Sequence, residues 1–93
     1  ATDRNEALGY LARKAAMAKD IAEGYLLVTE RTYQRFEPAQ LEQLAFELER
    51  AQRDIRGVLS ATDDMATIQQ RNRKLQRLTQ AISMLRGVQA RSR

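Results

Sequence analysis

Hydrophobic residues in the middle of the chain recur in alternating steps of three and four: Leu41, Leu44, Leu48, Ala51, Ile55 and Val58, with Ala45 and Leu59 widening the seam on one side. That spacing draws one apolar stripe along an α-helix, in the a/d pattern of helices that pack side by side. Glu42, Glu49, Arg50 and Arg53 fall on the opposite face. Glu49 precedes Arg53 by four residues, the order that favours a helix. Phe46 is apolar but sits on the back, roughly 140° from Leu41 at about 100° per residue.

The same scheme returns in Ile68, Leu75, Leu78, Ile82 and Leu85, with Met65 near the start of the stripe. Arg71 and Asn72 sit at or beside it where a strict seam wants apolar groups, so this end of the bundle is either wet or turned to a partner. Ala81, Met84 and Val88 form a second apolar strip away from the first.

The opening third of the chain has a wider apolar arc. One stripe holds Leu8, Leu11, Ala15, Ala22, Tyr25, Leu26, Thr29, Tyr33 and Phe36; a second, rotated by roughly 110°, holds Tyr10, Met17, Ile21 and Val28. Two stripes suit a helix wedged against two neighbours within the chain, or one neighbour and an outside partner. Gly24 costs about 1 kcal/mol in a helix interior relative to Ala. Tyr25-Leu26-Leu27-Val28-Thr29 is locally β-prone. A strand needs a partner strand, and nothing else in the chain alternates with period two. The pattern therefore predicts one continuous or gently kinked helix.

Two boundaries divide the chain. Pro38 disfavours helix at Glu37 but suits the first turn of a new one. Ser60 to Asp64 is a run of N-capping side chains followed at once by apolar periodicity. The prediction is an all-α, antiparallel three-helix bundle with helices near 3–35, 38–60 and 64–90, forming a single domain over 1–93. A first helix of roughly 33 residues would be about 50 Å long and a second of roughly 23 about 35 Å. That mismatch leaves surface for a dimer or a partner to cover.

Composition narrows the function. The chain has 93 residues, no Cys, no His, four Gly and one Pro. A core this small is marginal, and no disulfide or thiolate metal site supplements it. Without His and Cys, the commonest general base and the thiol nucleophile are missing. Ser60, Ser83 and Ser92 lack a nucleophile-elbow context, and Gly9, Gly24, Gly57 and Gly87 are isolated rather than gathered into a phosphate loop. Asp63-Asp64 reads as a helix N-terminus, and Glu47 and Glu49 point about 200° apart on a helix, so neither pair reads as a metal site. The expectation is a protein that is not an enzyme, with no cofactor, metal or small-molecule substrate. No apolar run approaches the roughly 20 residues that span a bilayer. A cytoplasmic protein is expected; cleavage of a leader before Ala1 would leave the same sequence.

The net charge is +4, and after Asp64 no acidic residue occurs while seven basic ones do. Arg71, Arg73, Lys74, Arg77, Arg91 and Arg93 make a basic patch suited to phosphates or to an acidic protein. An arginine-rich solvated face would look the same, and no aromatic residue beyond Phe46 accompanies the patch to stack on bases. Tyr10, Met17, Ile21, Val28, Phe46, Met84 and Val88 are the apolar residues left outside the main seams, and they read as anchors for a protein partner. The leading expectation is a helical protein-protein interaction module: an adaptor, assembly or chaperone-like subunit that binds a protein or a second copy through apolar helix faces. The alternative is a small nucleic-acid-binding protein using the basic C-terminal helix.

Overall fold

The structure is a computed structural model and describes residues 4–57 and 64–91, with side chains from residue 9 onward. Among the described residues it is all-helical: α1 (Arg4–Glu23), α2 (Glu30–Gln34), α3 (Pro38–Gly57) and α4 (Met65–Arg91). Every helix packs against α4, and α1 also packs against α3.

The predicted first helix is two helices joined by a non-helical strap. The break is at Gly24, whose φ of 84° is one that L side chains rarely adopt. Its N–H donates to the Ile21 carbonyl at 3.2 Å, and the Tyr25 N–H donates to the Asp20 carbonyl at 2.9 Å. This pair of bonds is a Schellman C-cap. The guanidinium of Arg77, on α4, takes a further end carbonyl, that of Ala22, at 3.0 Å. Beyond the cap the chain is non-helical until Thr29, whose own backbone is extended and which starts α2 through a capping box with Thr32. The two-stripe argument for an overlong helix that a second copy must cover therefore lapses, because α1 is only 20 residues long.

The other boundaries lie close to expectation. Pro38 opens α3, and the Gln40 side chain accepts from the Glu37 N–H at 2.9 Å. Asp64 caps α4, accepting from the Ala66 N–H at 3.1 Å and from the Thr67 hydroxyl at 2.9 Å. Asp63, Val58, Leu59, Ser60 and Arg93 lie outside the described residues, as does the side chain of Leu8.

Cross-helix contacts give the directions. Glu42 meets Gln89 and Arg86, Glu49 meets Arg86, and Gln52 meets Thr79, so α3 and α4 run antiparallel. Lys14 lies over the ring of Phe36 just before α3, while Glu23 at the far end of α1 reaches Lys74. Thus α1 runs antiparallel to α4 and in the same sense as α3, and the strap with α2 makes the return journey between them.

The core is Ala18, Ile21, Ala22, Val28, Tyr33, Leu41, Leu44, Ala45, Leu48, Leu78, Ala81, Leu85 and Val88. Tyr33 is fully buried, and its hydroxyl donates to the Ala81 carbonyl at 2.9 Å, pinning α2 to α4. Burial pushes the Tyr33 phenol up to about 12. The second strip on α4 is therefore core: Ala81 and Val88 are both buried, Ala81 under Tyr33 of α2. Met65, expected at the start of the α4 stripe, is instead exposed.

Candidate interaction surface

The strap from Tyr25 to Thr29 alternates like a β-strand. Leu26 and Val28 face inward, half-buried and buried, while Tyr25 and Leu27 are 81% and 89% exposed. Large apolar side chains this far out of the protein are unusual two residues apart. Beside them runs a cleft of about 210 Å³ between the strap and α4, with Ile21, Leu26, Val28, Ala81 and Met84 in its wall. Arg77 and Gln80 are its polar members. Among the described residues, the backbone N–H and C=O of both Leu27 and Val28 have no hydrogen-bond partner. The neighbouring N–H groups of Tyr25 and Leu26 are taken by Asp20, and that of Thr29 by Thr32. Two consecutive residues thus have open backbone groups, one under an exposed leucine and one under a buried valine.

Sequence reasoning placed the apolar anchors elsewhere, and the structure redistributes them. Ile21, Val28 and Val88 are core residues and cannot dock a partner. Their spare stripes cover one another once the chain turns back at Gly24. Met17 and Met84 are half-buried against the same core. Tyr10 is half-buried near the Lys14 ammonium, 5.3 Å from its ring centroid. Phe46 is half-exposed on the back of α3, the phase the seam requires. The exposure of Tyr25 and Leu27 was missed; the β-prone character of that stretch was the available signal.

The basic patch is partly spoken for. Lys74 pairs with Glu23 at 3.0 Å, Arg91 with Glu30 at 2.9 Å, and Arg77 closes the end of α1. Arg71 is half-buried, with its Nε unpartnered. Arg73 is exposed at a shallow polar recess with Gln70, Lys74 and Arg77. On α3, exposed Arg50, Arg53 and Arg56 approach the same end of the bundle.

Two further charged groups shape the surface. Lys14 is 9% exposed, with its ammonium 4.1 Å from the Phe36 ring centroid. Burial, then the charge of Arg13, lowers its pKa below the usual lysine value. At the α3–α4 seam, Arg86 bridges Glu42 and Glu49 at 3.2 and 2.8 Å, so Glu49 answers to α4 rather than to Arg53. A hydrogen bond from Gln89, with Arg86 beside it, holds the Glu42 carboxyl below its ordinary range.

Among the described residues no three acidic side chains converge on a point where a metal could sit, and no helix is long and apolar enough to cross a membrane. No protein-family model matches the chain, and no curated protein or solved structure matches it significantly.

Proposed function

We propose that the protein is a non-enzymatic interaction module that docks another protein surface on the 25–29 strap and the cleft beside it. The observation carrying this reading is the pair Tyr25 and Leu27, almost wholly exposed beside an apolar cleft. Covering Leu27 and the adjoining wall removes apolar surface from water at about 25 cal/mol per Å². The segment is already held by the Schellman cap, the Thr29 capping box and the Tyr33 bond, so little ordering is left to oppose binding.

A second reading, binding of nucleic acid, draws on exposed Arg73 together with Arg50, Arg53 and Arg56 at the joined ends of α3 and α4. It is weaker because Lys74, Arg77 and Arg91 spend contacts within the chain.

Immobilising the full chain against an extract of its native source, beside Leu27→Asp and the triple Arg50/Arg53/Arg73→Gln at exposed positions away from the cleft, separates the two. Protein retained through high salt by the wild type and the triple, and lost with Leu27→Asp, is the expected outcome. Retained nucleic acid that is lost between about 50 and 200 mM salt and with the triple change would favour the second reading. A bound protein indifferent to Leu27→Asp would move the docking site off the strap.

A further inference from the structure

We infer that the partner segment docked on the strap carries a carboxylate two residues from its apolar anchor, and that the Arg77 guanidinium receives it. The inference rests on the reading of the strap and cleft as a protein-docking site and names the chemistry of the occupant.

The cleft fixes the size and polarity of what enters it. Its volume of about 210 Å³ falls below the roughly 300–1,000 Å³ of sites that enclose a drug-sized molecule, so it has room for one or two side chains of a longer segment. Ile21, Leu26, Val28, Ala81 and Met84 make the wall apolar, and Arg77 is its one charged residue. Beyond Arg77 the surface continues as a shallow polar recess with Gln70, Arg73 and Lys74, so a bound chain can run on past the guanidinium. Among the described residues no acidic side chain lines the cleft, and Glu23, the acid of the adjoining recess, is paired with Lys74 at 3.0 Å.

Arg77 is seated but not neutralised. Its Nη1 donates to the Ala22 carbonyl at 3.0 Å, and its Cζ, Nε and Nη1 lie 3.0, 3.2 and 3.3 Å from where a Cβ on Gly24 would be. The end of α1 offers it the equivalent of about half a negative charge. The carbonyl takes one of its five N–H groups, and among the described residues no carboxylate lies within ion-pair distance of Arg77. A guanidinium already held in place can grip a carboxylate at two points with little side-chain freedom left to lose.

The spacing follows from α4. Arg77 and Ala81 are one turn apart, about 6 Å along the helix. Alternate side chains of an extended segment are about 6.5 Å apart and lie on one face. An apolar side chain seated over Ala81 therefore puts the side chain two residues away over Arg77. Charge complementarity makes that residue Asp or Glu. A phosphate backbone would also suit the guanidinium, but it offers no aliphatic group to Ile21, Val28 and Met84.

Amide NMR titration of the full chain with synthetic peptides tests this. The probe is a ten-residue Gly/Ser peptide with Leu-Ser-Glu at its centre, beside versions with Gln or Lys for Glu and with Ser for Leu. The contact is small, so a Kd of roughly 0.1–1 mM is expected for the Glu peptide, with shifts at the Gly24 and Leu27 amides. The Gln peptide should bind about 5-fold or more weaker, the Lys peptide weaker still, and the Ser peptide about 10-fold or more weaker. Arg77→Gln should bring the Glu and Gln peptides within about 2-fold of each other, and Arg77→Lys should restore part of the preference. Arg73→Gln, outside the cleft, should leave the preference unchanged. Because Arg77 also caps α1, the wild-type ranking of the four peptides serves as a test that needs no variant. Three results would overturn the inference: equal binding of the Glu and Gln peptides, a preference that survives Arg77→Gln, or a ten-nucleotide thymidine oligomer that shifts the same amides more strongly than the Glu peptide. If the Glu and Gln peptides bind alike and both are lost with Leu27→Ser, the docking site stands and only the carboxylate is wrong. If no peptide shifts those amides and no protein from the extract depends on Leu27, both readings fall.

Discussion

Replacing Gly24 with Ala has opposite signs in a continuous helix and in the architecture described above. In a helix interior, Gly24→Ala stabilises by about 1 kcal/mol, the difference in propensity. At a φ of 84° it destabilises. An L residue in left-handed conformation costs about 1–2 kcal/mol. The new Cβ would also lie 3.0 Å from Arg77 Cζ and 3.2 Å from its Nε. The guanidinium must swing away, giving up its 3.0 Å bond to the Ala22 carbonyl. That bond is partly solvated and contributes about 0.5–1.5 kcal/mol. Together the terms reach about 2–3 kcal/mol, a large share of the roughly 5–14 kcal/mol expected of a domain this size.

Urea denaturation followed at 222 nm reads the effect directly. With a slope near the lower end of about 1–3 kcal/mol/M, the midpoint should fall by about 2 M at unchanged slope. A cycle with Arg77→Gln isolates the shared contact. The double variant should lose less than the two singles combined, by about 0.5–1.5 kcal/mol, because one bond is removed in each. A rise in both midpoint and helical signal for Gly24→Ala would refute the break at Gly24, and with it the strap.

Leu48 is fully buried, so Leu48→Ala should cost about 2–5 kcal/mol, whereas half-exposed Phe46→Ala should cost under about 1 kcal/mol; an unfolded Phe46→Ala would mean that α3 is out of phase. Tyr33 supplies a pH test. Its folded pKa of about 12 lies above the ordinary value of 10.0, so the unfolded chain releases the phenolic proton first. Stability should therefore be intact below pH 10 and fall by up to about 2–3 kcal/mol towards pH 12. Tyr33→Phe should remove that slope while costing about 0.5–1.5 kcal/mol at neutral pH through the lost bond to Ala81; a slope unchanged in Tyr33→Phe would assign it to other groups. Gln89→Ala should move the Glu42 carboxyl upward in a side-chain NMR titration, since the Gln89 amide is the largest influence holding it low. No movement would mean that Arg86 alone sets it.

What could be read from the sequence was the part governed by local periodicity. The α3 seam, the Pro38 start and the Asp64 cap depend on residues within one or two turns of each other, and each lies where the pattern put it. The first third misled because two periods fit it. Tyr25, Leu26, Thr29, Tyr33 and Phe36 can be threaded on a helical stripe, yet Leu26 and Val28 point inward as alternate residues of a non-helical segment. Propensity did mark the place, through Gly24 and the β-prone run after it, but the absence of a second strand weighed against breaking the helix. The contacts that reward the break are distant in sequence: Arg77 to Ala22, Tyr33 to Ala81, and Lys14 against Phe36. Helical periodicity carries no trace of them.

A more general accounting would have narrowed the choice. Two helices each carried an apolar stripe in excess of one neighbour: Ile21 and Val28 in the first segment, Ala81 and Val88 in the last. Orphan stripes within one short chain satisfy each other before they recruit outsiders, because the intramolecular contact escapes the association entropy that a partner must overcome. Once that pairing is made, the large exposed apolar side chains among the described residues are Leu11, Tyr25, Leu27, Phe46 and Met65. Leu11, Phe46 and Met65 sit singly on three different helices, as incidental exposure does. Tyr25 and Leu27 are neighbours, the most exposed of the set, and share a segment whose central backbone groups are open. Exposure alone would select any of the five; exposure combined with an unfilled backbone pair selects Leu27.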